Sequence, residues 1–215
     1  AVGAKGLIPD GKFYEKRYGK NWKPMQAVFN GMGQGEILLT PLQIANFTAA
    51  IANRGWYYTP HIVKAIDGKP NPDKRFKEKK HTLVDPKHFD AVIKGMEAVV
   101  LSGTGRGLRS KDFTQLAKTG TAENFIRVNG KRMQLTDHSI FVAFAPVDDP
   151  KIAIAVFVEN GYYGARVAGP IASLMIERYL KGEVHRCDLE KQMLDKSLEA
   201  EYLKPYSGQR FSINQ

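Results

Sequence analysis

Eight residues decide the fold and the chemistry of this chain: Leu116-Ala117-Lys118-Thr119-Gly120-Thr121-Ala122-Glu123. We interpret residues 113–121 as a strand that enters a tight turn. Side chains alternate along a strand, so Thr119 and Thr121 can present their hydroxyls to the same side. Gly120 between them has no side chain, so a substrate can lie against the backbone, and Lys118 adds a fixed positive charge. The segment therefore predicts a ledge for a substrate carboxylate and for an acyl oxygen that develops negative charge.

The residues that follow this strand predict an antiparallel sheet. Residues 123–137 are polar and favour a hairpin. Residues 139–145 and 152–158 are β-rich runs, joined by turn residues between Pro146 and Pro150. A connection this short pairs two strands in antiparallel fashion.

Three helices are expected around that sheet. Thr40-Pro41 begins the first, which has apolar residues on so much of its circumference that we expect it to be well buried. Asp85-Pro86 begins the second, and Gly169-Pro170 begins the last, with Met175 among its inward residues. Residues 1–35 are interpreted as irregular, 56–66 as a strand and 67–81 as a polar loop. This order predicts an α+β fold, an antiparallel sheet with flanking helices.

Composition narrows the function classes. The chain has 215 residues, 43% hydrophobic and 25% charged, and a formal net charge of +10. No nucleic-acid motif accompanies the positive charge, so we expect a solvated basic surface and no nucleic-acid partner. The single cysteine, Cys187, excludes an internal disulfide, and no apolar run approaches the roughly 18 residues of a membrane span.

The sequence predicts neither a metal site nor a cofactor. Its five histidines have no metal-ligand spacing. His138 is interpreted as a structural residue, with an active-site role as the alternative. The glycine-rich segment 102–107 lacks the lysine and hydroxyl residue of a phosphate loop and is interpreted as the end of a helix.

Several ordered segments over roughly residues 6–181 together resemble one family. They are Gly31-Met32-Gly33-Gln34-Gly35, Leu39-Thr40-Pro41-Leu42-Gln43-Ile44-Ala45, Asn53-Arg54-Gly55, Ser102-Gly103-Thr104-Gly105, Lys118-Thr119-Gly120-Thr121-Ala122, Phe141-Val142-Ala143-Phe144-Ala145-Pro146 and Val158-Glu159-Asn160-Gly161. The pattern is similar to that of the elongation-type, class B penicillin-binding proteins. The resemblance implies the transpeptidase fold that these proteins share with serine β-lactamases.

The resemblance also implies roles for the residues of the third motif. Lys118 and Thr121 are the implied catalytic residues: Lys118 tunes the proton network, and the Thr121 N–H forms half of the oxyanion hole. Lys118, Thr119, Gly120 and Thr121 are the implied substrate-binding residues. The two hydroxyls hold the substrate carboxylate, while Gly120 leaves room for the peptide or β-lactam.

One departure from the family pattern concerns the nucleophile. None of the seven serines has a lysine three residues later, so the S-x-x-K motif is absent from these residues. The only S-x-N match is Ser212-Ile213-Asn214, which follows the third motif and is interpreted as chance. We expect a transpeptidase domain truncated at its N-terminal side, which by itself is not acylated.

The resemblance implies a setting as well. Residues 1–182 are expected to be the C-terminal portion of the transpeptidase domain, and 183–215 a polar tail in which residues 188–203 could form a surface helix. The implied protein cross-links peptidoglycan stem peptides, is a β-lactam target and works with a glycan-polymerising membrane partner. It lies at the extracytoplasmic face of the bacterial inner membrane, anchored by a segment absent from this chain.

Two alternatives remain open from the sequence. One is a β-lactamase or penicillin-sensor relative, which also carries Lys-Thr-Gly. The other is a non-catalytic interaction module that keeps the fold.

Overall fold

The computed structural model of the protein describes residues 4–203, so Ser212-Ile213-Asn214 lies outside the described residues. Its helices are α1 Gly11–Tyr18, α2 Met25–Gly31, α3 Pro41–Ala52, α4 Phe89–Leu101, α5 Ala168–Lys181, α6 Cys187–Leu194 and α7 Glu199–Tyr202. Its strands are β1 Trp56–Tyr57, β2 Ala65–Ile66, β3 Lys69–Pro70, β4 Lys80–His81, β5 Leu116–Ala122, β6 Phe125–Val128, β7 Lys131–Gln134, β8 His138–Ala145 and β9 Ile152–Val158.

A three-stranded antiparallel sheet, ordered β5-β8-β9, organises the fold. β6 and β7, which lie between β5 and β8 in the chain, form a separate two-stranded hairpin. The predicted α+β class, the hairpin and the antiparallel pairing of β8 with β9 are all confirmed. Because β8 occupies the centre, β5 keeps one edge of the sheet.

Helices cover both faces of this sheet. On one face, Leu116 and Phe144 pack with Ala52 of α3 and with Ile93 and Met96 of α4. On the other face lies a second cluster, which joins the sheet to α5 and to the end of α4. Its buried members are Val100, Leu108, Ala117, Phe141, Ala143, Ala145, Ile154, Ala168, Ala172 and Ile176. Alternation along β5 therefore assigns adjacent side chains to two different cores.

The expectation that α3 is buried on most of its circumference is wrong. Thr48, Ala50 and Ala52 are buried, but Leu42 is 59% exposed and Phe47 is 63% exposed. The helix packs against β8 and β9 on one side, and the described residues leave its other side open.

The N-terminus of α3 is held by a reciprocal pair of hydrogen bonds. The backbone N–H of Gln43 donates to Thr40 Oγ1 at 3.2 Å, and the backbone N–H of Thr40 donates to Gln43 Oε1 at 2.8 Å. These bonds satisfy amide groups that a helix otherwise leaves without partners, and Pro41 in the first turn has no N–H that needs one. The predicted start of the helix is confirmed.

We expect Thr40→Ala to lower the free energy of unfolding by about 1 kcal/mol, the usual contribution of an N-cap hydroxyl. Urea denaturation of the chain measures the loss. Thr40→Ser retains the hydroxyl and should stay close to the wild type. An equal loss in both variants would show that the methyl group, not the cap, is responsible.

Residues 11–31 form two short helices where the sequence predicted irregular structure. Asp10 Oδ1 accepts a hydrogen bond from the backbone N–H of Phe13 at 2.8 Å and so caps α1. Tyr14 is 2% exposed, and its ring stacks on Trp22 with centroids 5.3 Å apart. A helix of this length that buries one aromatic side chain shows no apolar period, which is why the sequence pattern missed it.

The strand predicted over residues 56–66 is much shorter in the structure. Only β1 forms at its start, paired with β4, and β2 pairs with β3 in a small hairpin. The intervening residues are mostly exposed, so no core imposes an extended pairing there.

The last core helix, α5, begins as predicted, but the prediction that Met175 faces the core is wrong. Leu174 and Ile176 are buried, whereas Met175 is 53% exposed. Successive helical residues are about 100° apart, so three adjacent residues cannot all face one core. None of the helices within residues 4–203 has the length and apolar content to span a membrane.

Candidate functional site

The four residues singled out by the sequence lie within β5, on the edge strand of the sheet. Lys118 is exposed, and its Nζ donates a hydrogen bond to the carbonyl oxygen of Thr119 at 2.6 Å. Thr119, Gly120 and Thr121 are partly buried. They stand opposite Phe141, Ile140 and Ser139 of β8. This edge thus combines a cation with two hydroxyl residues. An extended peptide can pair with the backbone of an edge strand.

The glycine-rich segment after α4 lies directly beside this edge. The Oγ1 atoms of Thr104 and Thr119 are 3.1 Å apart, which is hydrogen-bond distance. The sequence placed residues 102–107 before the strand but did not predict contact between the two hydroxyls. Thr104 is therefore a candidate site residue that sequence reasoning missed. Its presence in the Ser-Gly-Thr-Gly segment was the available signal.

A second segment, residues 161–166, lies against the backbone of Gly120. A Cβ added to Gly164 would stand 2.5 Å from the Gly120 carbonyl oxygen and 2.4 Å from that of Ile140. No residue larger than glycine fits at position 164 without a backbone shift. Gly120 is itself close-packed, since a Cβ there would lie 3.2 Å from Ile140 Cβ.

Ser139 fixes that segment and is not available as a nucleophile. Its side chain is fully buried. The Ser139 hydroxyl donates to the carbonyl oxygen of Tyr163 at 3.1 Å and accepts from the backbone N–H of Ala168 at 3.1 Å. Both hydrogen-bonding roles of the hydroxyl are occupied, so the residue connects β8 to the start of α5.

His138 holds the next turn along the sheet. Its Nδ1 accepts a hydrogen bond from the backbone N–H of Asn160 at 3.1 Å, and its ring lies 5.2 Å from that of Phe157. The Asn160 side chain in turn accepts from Asn124 Nδ2 at 2.6 Å. These contacts give His138 the structural role that we expected from the sequence.

Behind the entry to β5, sequence reasoning also missed a buried polar cluster. Arg186 donates from Nε to Glu177 Oε2 at 3.0 Å and from its Nη2 atom to the Ser173 carbonyl at 2.9 Å. Gln115 Nε2 donates to Ser173 Oγ at 2.9 Å and to the carbonyl of Leu108 at 2.6 Å. Ser173, Glu177 and Gln115 are at most 3% exposed. These residues lie far apart in the sequence, so no local sequence pattern predicts the cluster.

Comparison with known proteins supports the predicted family. The penicillin-binding protein transpeptidase domain matches residues 10–177. Peptidoglycan D,D-transpeptidase MrdA of Haemophilus influenzae is 34% identical over 188 residues, which are 80% of this chain and 28% of that protein. The MrdA protein of Acinetobacter baumannii is 34% identical over 180 residues, 78% of this chain and 27% of that protein. The chain thus spans less than a third of these relatives.

Solved structures give the same result. Pseudomonas aeruginosa PBP2 in complex with WCK 5153 is 34% identical with a TM-score of 0.69, over 94% of this chain and 42% of that one. The imipenem acyl-enzyme complex of Mycobacterium tuberculosis penicillin-binding protein A gives 28% identity and a TM-score of 0.59, over 71% and 33%.

A third similar structure is that of a peptidoglycan synthase complex, which concerns the coordination of polymerization and crosslinking. It gives 31% identity and a TM-score of 0.64, over 79% of this chain and 28% of that one. The family match, the identities and the shared fold agree with the site geometry. The chain belongs to the penicillin-binding protein transpeptidase domain family.

Proposed function

We propose that this chain supplies the substrate-binding strand of a peptidoglycan D,D-transpeptidase that is a target of β-lactams. The observation that carries the proposal is the set Lys118, Thr119, Gly120 and Thr121 on an edge strand, with Thr104 at hydrogen-bond distance from Thr119. The relatives named D,D-transpeptidase and the acyl-enzyme neighbour support it.

Each residue of the strand has a proposed role. Lys118 is exposed and supplies positive charge for the substrate carboxylate and for the proton network around the nucleophile. The hydroxyls of Thr119 and Thr121 hold that carboxylate, and Thr104 positions Thr119 through the contact between their hydroxyls. The Thr121 N–H contributes to the oxyanion hole, where fixed donors stabilise developing negative charge. Gly120 presents no side chain to the substrate.

The nucleophile is proposed to come from sequence beyond these 215 residues. No serine here has a lysine three residues later. A transpeptidase of this class needs an activated serine whose hydroxyl oxygen attacks the carbonyl carbon of a stem-peptide bond. The C–N bond breaks, the amine leaves with the proton that the serine gives up, and an acyl-enzyme remains. This chain supplies the strand on which the substrate lies, and the serine completes the site.

The wider setting is also a proposal. We place residues 1–182 in the transpeptidase domain and 183–215 in a C-terminal tail, of which α6 and α7 are the described helices. The synthase-complex neighbour supports a glycan-polymerising partner. The MrdA relatives are consistent with action outside the cytoplasmic membrane, on peptidoglycan stem peptides.

Labelling with a fluorescent penicillin tests the proposal. The chain and the longest natural product of its gene are incubated with the label and separated on a denaturing gel. We expect the long product to carry covalent label and the 215-residue chain to carry none, because no acyl-serine can form without the nucleophile.

Two results would contradict the proposal. Covalent labelling of the chain would mean that one of its own residues is an activated nucleophile. Absence of label from both proteins would favour a non-catalytic interaction module. Heat-denatured long product is the control for nonspecific label.

A further inference from the structure

Three residues from separate segments meet behind β5, outside the proposed substrate site. Asp112 lies in the loop that leads into β5, Glu177 lies on α5, and His185 follows that helix. Each residue offers one ligand atom, and the three atoms lie within 4.8 Å of one another. A histidine nitrogen with two carboxylate oxygens is a donor set that binds divalent transition metals.

Glu177 provides an independent indication of a ligand. Its side chain is fully buried, and Oε2 accepts from Arg186 Nε at 3.0 Å. Its other oxygen, Oε1, is buried and has no hydrogen-bond partner among residues 4–203. A buried carboxylate oxygen without a partner is costly, so such groups in proteins are usually hydrogen-bonded or bound to a metal.

On the exposed side of the cluster, one nitrogen–oxygen pair has a separation close to that of neighbouring zinc ligands, while the three ligand atoms as a set lie within 4.8 Å of one another. His185 Nδ1 and Asp112 Oδ2 are 3.2 Å apart. In a tetrahedral zinc site with bonds of about 2.0–2.2 Å, neighbouring ligand atoms stand about 3.3–3.6 Å apart. The second ring nitrogen, Nε2, is 3.4 Å from Glu183 Oε1. A carboxylate behind a ligating histidine is the usual outer contact that orients its ring.

The charges around the cluster also favour a dication. Asp112, Glu177 and Glu183 contribute three negative charges, and Arg186 contributes one positive charge. With His185 neutral, two negative charges remain. The imidazole nitrogen favours zinc over magnesium or calcium, which prefer an all-oxygen set.

We propose that Asp112, Glu177 and His185 bind a zinc ion that joins the loop before β5, helix α5 and the C-terminal segment. The side chains of Asp112 and His185 are 41% and 48% exposed, which leaves room for water as a fourth ligand. The ion has a structural role: it fixes the entry to the strand that carries Lys118. The sequence predicted no metal site because its ligands are distant along the chain.

Calorimetric titration of the chain tests the site directly. The protein is stripped of metal with EDTA, dialysed and titrated with zinc chloride at pH 8. Metal ligands must be deprotonated to bind the ion, so an alkaline buffer limits competition by protons. We expect one zinc ion per chain, a higher melting temperature with zinc, and no comparable binding of magnesium chloride.

Variants identify the ligands. His185→Gln and Asp112→Asn change half-exposed side chains, so circular dichroism should show an intact fold, and each should weaken zinc binding at least tenfold. His81→Gln and Cys187→Ser, both at exposed positions, are matched controls that should bind zinc normally. Cobalt(II) in place of zinc should give no thiolate charge-transfer band.

Three outcomes would overturn the proposal. The first is the absence of stoichiometric zinc binding to the wild-type chain. The second is a loss of affinity in Cys187→Ser or His81→Gln that equals the loss in His185→Gln. The third is a cobalt spectrum with a thiolate band, which would assign the metal to Cys187.

Discussion

Lys118→Ala in the longest natural product of the gene is expected to react with a fluorescent penicillin about 100-fold more slowly, with the fold unchanged. Lys118 is exposed at the edge of β5, so truncation removes charge without opening a cavity. Lys118 is proposed to bind the substrate carboxylate and to support the proton network, and loss of a single preorganised donor from an active site typically costs a factor of about 10²–10³ in rate. The second-order acylation rate constant, followed by gel fluorescence over time, measures the effect.

Lys94→Ala is the matched control. Lys94 is an exposed lysine on α4, outside the β5 edge, and its loss changes the net charge by the same amount. Its acylation rate should stay within about twofold of the wild type, since only screened long-range charge is altered. Equal rates for the two variants would remove Lys118 from the proposed mechanism.

Arg186→Met is expected to lower the free energy of unfolding of the chain by about 3–5 kcal/mol, the loss typical of breaking a buried ion pair. The variant leaves the Glu177 carboxylate fully buried without its cation. It also removes the Nη2 donor from the Ser173 carbonyl. Urea denaturation in EDTA, which removes any bound metal, measures the change.

Two further variants make this result specific. The double variant Arg186→Met with Glu177→Met removes both charges and should recover most of the stability, because apolar replacements of a buried pair are often neutral. Arg54→Met breaks an exposed pair with Asp90, of similar length at 2.9 Å, and should lose less than about 1 kcal/mol. If Arg186→Met resembles Arg54→Met, the buried pair is not a major source of stability.

The strand and its motif could be predicted from sequence because their signals are local. Side-chain alternation and the Lys-Thr-Gly-Thr run indicated a substrate ledge on a strand, and β5 has this position at the sheet edge. Thr40-Pro41 likewise marked the start of α3, because a capping box is complete within four residues. The roles of the ledge residues stay predictions.

Burial of helix faces was predicted less well. The apolar pattern of α3 indicated a helix buried nearly all round, yet Leu42 and Phe47 are exposed. Apolar spacing shows that a face can be buried but does not identify the element that covers it. Met175 of α5 shows the same limit: the apolar pattern predicted that it faces the core, but its side chain lies at the surface.

The sequence by itself determined the fold class, the antiparallel strands, the family and the strand that carries Lys118, Thr119, Gly120 and Thr121. Each of these depends on periods and motifs only a few residues long. Only the tertiary structure decided that Thr104 meets Thr119, that Gly164 lies on the Gly120 backbone, and that Asp112, Glu177 and His185 converge. Those contacts join residues distant along the chain, and their distances depend on how the helices and sheet pack together, which no local pattern encodes.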